Sequence, residues 1–111
     1  MSIFKERQNA FENKFAHENL LEFKAIALRN TLLGLWVSRQ LGISKDQAND
    51  YANSLVRAGV ECANEYSLAD LVRDALKKGG IELTIEQIER RMARYLNVAR
   101  NDVFAGRGLA A

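Results

Sequence analysis

The chain has 111 residues, 48% of them hydrophobic and 27% charged, which supports one domain with one modest core and excludes intrinsic disorder. Its net charge of +2 is too small a bias to suggest a nucleic-acid partner. It contains no proline, where about five would be usual, and that suits a mostly helical chain because proline removes a helix hydrogen bond and clashes with the preceding turn.

Five helical segments are predicted. The first spans Ile3 to Phe15, with Ile3, Phe4, Ala10, Phe11 and Phe15 as its sparse apolar residues. Asn9 and Asn13 are poor helix formers, so this segment is marginal alone in water. The second runs from Glu18 to Leu41. Leu21, Ala25, Leu28, Leu32 and Leu35 repeat at the helical period, and Leu20, Phe23, Ala27, Leu33, Trp36 and Val37 widen the stripe beyond one face, as expected of a central helix. Gly34 inside it reads as a close helix crossing or as neutral drift. Leu41-Gly42-Ile43 reads as a glycine stop followed by an apolar residue that folds back.

The third segment begins at Ser44, with Gln47 at capping-box spacing, and follows Ala48, Tyr51, Ala52, Leu55 and Val56 to about Cys62. The fourth starts at Ser67, with Asp70 in its first turn, and carries Leu68, Leu71, Val72, Ala75 and Leu76 until Lys77-Lys78-Gly79-Gly80 stops it. The fifth opens on Thr84 paired with Gln87; Ile85, Ile88, Met92, Leu96, Ala99 and Val103 form its apolar face. Residues 105–111 read as a flexible tail. The expected fold is an all-α four-helix bundle over 18–104, with 1–17 as a separate, loosely packed recognition segment.

The chemistry-bearing residues give little support to an enzyme. One histidine, His17, and one cysteine, Cys62, make no zinc motif, and the scattered glycines make no phosphate loop. A lone cysteine also points to a reducing compartment. Met1 to Arg7 is polar, which predicts no secretory signal. Glu22, Lys24, Arg29 and Arg39 interrupt the apolar stretch from Leu20 to Leu41, which falls short of a membrane span. His17 reads as a polar residue between the first two segments, or as a pH switch. Cys62 reads as a small apolar side chain at a helix end. Trp36 reads as core, or as a stacking platform. The arginines of the fifth segment read as a solvated face. Phe4, Phe11 and Phe15 either pack on the bundle or form a recognition helix for a partner's groove.

The stretch Ala10-Phe11-Glu12-Asn13-Lys14-Phe15-Ala16-His17 is followed by Phe23-Lys24-Ala25 and Arg29-Asn30-Thr31-Leu32-Leu33-Gly34-Leu35-Trp36. In order and spacing this resembles the A-F-E-x-K-F-A-H and R-N-x-L-L-G-L-W signatures of the zeta-type inhibitor subunits of bacterial F-type ATP synthases. The likeness continues through Leu41-Gly42-Ile43-Ser44, Tyr51-Ala52 and Ile88-Glu89-Arg90-Arg91-Met92. It departs at Leu28, where the family usually has arginine, and at Asn19 and Leu20, where it often has acidic residues.

The resemblance implies a four-helix bundle with a mobile N-terminal helix, and a non-enzymatic cytoplasmic protein, peripheral to the inner membrane through the ATP synthase. It implies a partner, the catalytic head with its alpha, beta and gamma subunits, in which the N-terminal helix blocks ATP hydrolysis. Carried over by position, Phe4, Arg7, Phe11, Lys14 and Phe15 are the expected partner-binding residues. Some members also bind adenine nucleotide; ADP or ATP would then be a regulatory ligand rather than a cofactor, near Lys24, Arg29, Asn30 and Trp36. The alternative reading is a nucleotide-sensing bundle that inhibits weakly or not at all.

Overall fold

The computed structural model describes the backbone over residues 3–61 and 65–106, and the side chains of residue 14 and of residues 16–59 and 68–106. Among the described residues the chain is all α, in four helices: α1 (Ile3–Leu41), α2 (Lys45–Glu61), α3 (Glu65–Lys78) and α4 (Ile85–Phe104). The first two expected segments are therefore one helix of 39 residues. The physical reason is local. Ala16, His17 and Glu18 include neither glycine nor proline, and nothing there competes with the backbone ladder strongly enough to end it. His17 lies exposed within a continuous helix, not at a hinge. Helix α3 begins at Glu65, so Ser67 lies inside its first turn instead of capping it. Cys62 and the tail residues 107–111 lie outside the described residues.

The stop and start signals work as chemistry requires. Gly42 takes φ 68°; its N–H donates to the Arg39 carbonyl at 3.2 Å and that of Ile43 to the Ser38 carbonyl at 3.3 Å. The same pair of bonds closes α3 at Gly80, φ 84°, where Ile81 N–H reaches the Leu76 carbonyl at 2.9 Å. These are Schellman closures, which satisfy carbonyls the helix leaves without partners. At α4 both halves of the capping box form: Gln87 N–H donates to Thr84 Oγ1 at 3.1 Å, and Thr84 N–H to Gln87 Oε1 at 2.9 Å. Ser44 Oγ accepts from Gln47 N–H at 3.3 Å.

Helix α1 is the axis of the bundle. Asn30 lies against Gly59 and Gly34 against Ala52, so α1 and α2 run antiparallel. Glu22 meets Arg100 and Trp36 meets Arg91, so α1 and α4 do too. The main core gathers Leu33, Trp36 and Val37 of α1, Leu55 of α2, Leu68, Ala69, Val72 and Leu76 of α3, and Ile88 and Met92 of α4. A smaller cluster of Ala25, Leu28, Ala99 and Val103 joins α1 to α4 alone. Ile88, Leu33 and Leu76 are fully buried, each worth about 1.5–3 kcal/mol of apolar transfer.

Gly34 marks the closest crossing: a Cβ there would stand 2.6 Å from the Ala52 Cα. Buried Arg29 and Asn30 lie one turn earlier, with Arg29 Nε donating to Asn30 Oδ1 at 2.7 Å. At about 1.5 Å per residue, α1 runs about 58 Å and α4 only about 30 Å, in a molecule measuring 65 × 28 × 21 Å. The antiparallel register therefore leaves the N-terminal part of α1 beyond the end of α4.

Candidate functional site

Ala16, His17, Glu18, Asn19 and Leu20 are all exposed, as is Lys14. Five consecutive residues cover more than a full turn, so no described element packs against any side of α1 there. The first ties to the bundle are Leu21, packed on the small cluster shared with α4, and Glu22. Arg100 grips Glu22 from α4 through Nη2 to Oε1 at 2.6 Å and Nε to both carboxylate oxygens at 3.1 Å. The Arg100 hydrogen bond holds the Glu22 carboxyl below the usual glutamate range, against a smaller opposing effect of burial.

Of the expected partner-binding residues, Lys14 is exposed. Phe4, Arg7, Phe11 and Phe15 belong to the helical backbone of α1, and their side chains lie outside the described residues. The helix nonetheless fixes where these five positions fall. At about 100° per residue they occupy an arc of about 100°. Five turns, about 18 residues, bring them onto Glu22, Ala25, Arg29, Leu32 and Leu33. Ala25, Arg29 and Leu33 are buried; Leu32 packs on the small cluster shared with α4, and Glu22 pairs with α4. The expected partner-binding face is thus the continuation of the face that α1 buries in its own bundle.

The four residues expected near a nucleotide do not meet in one place. Lys24 is exposed, on a groove of about 530 Å³ whose walls include Leu21, Leu28, Asn53, Val56 and Val103. Arg29 and Asn30 are buried and hydrogen-bonded to each other. Trp36 is buried too, with the Arg91 guanidinium 4.9 Å above its ring centroid. It opens onto a different cleft, beside Gln40, Gln87 and Arg90. Along α1, Lys24 and Trp36 stand about 18 Å apart.

Sequence reasoning missed three contributions: the Glu22–Arg100 clamp, the Arg91–Trp36 stack, and the burial of Arg29. The first two join residues far apart in sequence, and no local spacing announces them. Among the described residues, no group of three or more His, Cys, Asp or Glu side chains could hold a metal ion, and no helix is long and apolar enough to cross a membrane.

A family model described as ATPase inhibitor subunit zeta matches residues 1–102. No curated protein and no solved structure matches the chain.

Proposed function

The chain belongs to the ATPase inhibitor subunit zeta family, an assignment that carries an inhibitory, regulatory role, and we propose that it acts by binding the catalytic head of F-type ATP synthase and inserting the N-terminal part of α1 there to stop ATP hydrolysis. The observation that carries this reading is the exposed stretch of α1 from Ala16 to Leu20, against which no described element packs. That stretch leads into positions Phe4, Arg7, Phe11, Lys14 and Phe15, which prolong a face that is buried further along the same helix. A helix that carries apolar anchors at helical spacing and has no covering element is suited to a partner's groove. Among the head's subunits, an interface of alpha, beta and gamma is the expected seat. The remaining three helices hold the other half of α1 and present its free end.

The nucleotide-sensing alternative gains no specific support, because Lys24, Arg29, Asn30 and Trp36 lie in three different environments. The test is ATP hydrolysis by the cognate head, titrated with the full chain and with a form lacking residues 1–17. Inhibition by the full chain and none by the shortened one is expected. Equal inhibition by both would move the effector into the bundle and overturn the proposal.

A further inference from the structure

Helix α4 carries a second surface that the first contact leaves unused. Arg90, Arg91 and Arg94 stand at spacings of one, three and four, so their side chains share one flank of α4. Two adjacent clefts of about 370 and 390 Å³ run along this flank and share Gln87, Arg90 and Arg91; the first also takes in Trp36 and Gln40, and the second Arg94. No carboxylate lines either cleft. Among the described residues none of the three arginines forms an ion pair. Glu86, one turn before Arg90, lines a different cleft with Arg73 and Lys77.

Arg91 is held in place by its rings, 4.9 Å above Trp36 and 5.9 Å from Tyr95, while Arg90 and Arg94 are exposed. The surface therefore combines one prearranged guanidinium with two free ones and two amide side chains. Guanidinium forks suit carboxylates, which they bind through paired hydrogen bonds.

We propose that this flank of α4 docks a carboxylate-rich segment of the ATP synthase head, as a second contact beside the inserted end of α1. The inference rests on the proposed inhibitor function. A protein segment fits better than a small anion. All three guanidinium groups border the second cleft, but Arg91 is already engaged by Trp36 and Tyr95, which leaves exposed Arg90 and Arg94, one turn apart, to pair with carboxylates spaced along a segment. No helix N-terminus feeds the site, since the first turn of α4 is already closed by Thr84 and Gln87. Trp36 stands 21 residues beyond Phe15 on α1, which separates the two contacts by about 32 Å or more. One rigid helix spans both, so the second contact raises the effective concentration of the first and steers its approach.

The test uses the full chain in four forms: unaltered, Arg90→Glu/Arg94→Glu, Arg90→Gln/Arg94→Gln, and Arg57→Glu/Arg73→Glu. The last makes the same charge change at exposed sites on α2 and α3. Association with the head is followed at about 50 and about 200 mM salt, where screening differs, together with the extent of ATPase inhibition at saturation. Arg90→Glu/Arg94→Glu is expected to associate about tenfold more slowly at low salt and to lose most of its salt dependence. Its saturating inhibition should be unchanged, and the control should stay within about twofold of the unaltered chain. Arg90→Gln/Arg94→Gln should show a smaller slowing in the same direction. Equal association by all forms, or equal losses in both charge-reversed variants, would overturn the inference while leaving the inhibitor function standing. Loss of inorganic triphosphate or ATP binding with head association intact would assign the flank to a small anion instead. Failure of the unaltered chain to bind the head would sink both proposals.

Discussion

The closest contact in the bundle yields its sharpest test. At an exposed position, Gly34→Ala would raise stability by about 1 kcal/mol through helix propensity alone. In this bundle the new Cβ meets Ala52 Cα at 2.6 Å, its Cβ at 3.1 Å and its backbone nitrogen at 3.3 Å. Carbon atoms are comfortable at about 3.5–4.0 Å. The obstacle is backbone and cannot rotate away, so α1 and α2 must separate by about 1 Å. Leu33, Val37 and Leu55 sit beside the crossing at 0–3% exposure and lose packing as it opens. Overpacking of this kind costs about 1–3 kcal/mol, and spread over the neighbouring contacts it should fall at the upper end. After the propensity gain, a net loss of about 1–2 kcal/mol is expected. Urea unfolding followed by circular dichroism reads this directly as a lower midpoint at unchanged slope. A Gly34→Ala protein more stable than the parent by about 1 kcal/mol would show that the crossing is loose and that the packing argument is wrong.

Two further outcomes follow from the α1 axis. His17→Pro removes a backbone donor and clashes one turn back, at a cost of about 3 kcal/mol to a helix interior. Since Ala16 to Leu20 are exposed, the bundle should melt as before while inhibition of the head weakens; undiminished inhibition by His17→Pro would refute the single-helix mechanism. Glu22→Gln tests the clamp. The native carboxyl titrates below its ordinary range, so its contribution is present above the unfolded glutamate pKa and is lost as pH falls through the lowered one. Both partners are partly exposed, which limits the effect to less than about 1 kcal/mol. The stability difference between parent and variant should therefore close under acid, and a difference that persists well below the carboxylate range would remove Arg100 as its cause.

Much of the bundle was legible because its signals are local. Thr84 and Gln87 lie within one turn, so the capping box can be read from spacing, and Gly42 and Gly80 mark stops because only they enter left-handed backbone cheaply. Gly34 was readable as a crossing or as neutral drift, and the approach of Ala52 decides for the crossing. The break between residues 15 and 18 was read wrongly. Weak propensity over Ile3 to Phe15 suggested a separate element, but a helix that already exists can extend through poor formers. Arg29 illustrates the other limit. Its charge argues for solvent, while it is buried donating to Asn30, whose carboxamide sits against Gly59 of α2, a tertiary fact with no counterpart in local pattern. The clustering of Arg90, Arg91 and Arg94 was visible, but the absence of acidic side chains from their clefts depends on the direction of each side chain around α4.

If the N-terminal end of α1 is what inhibits, the continuity of α1 changes the energetics. A free segment of residues 1–17 would have to nucleate its own helix in the partner's groove, and a nucleation constant of about 0.001 corresponds to about 4 kcal/mol. In this chain the nucleus already exists, because residues 21–41 are held helical by the core. Extending α1 toward Ile3 requires only propagation, which is close to neutral even for modest helix formers. The bundle thus lowers the ordering cost of the docking helix and also fixes its azimuth. The arc of Phe4, Arg7, Phe11, Lys14 and Phe15 is locked in phase with Ala25, Arg29 and Leu33, which the core holds still. A partner that grips the free end therefore receives the whole bundle in a defined orientation, about 32 Å or more from the arginine flank along α1. In that mechanism carrier and effector are two stretches of one helix, and the carrier's stability is what makes the effector's helix inexpensive to form.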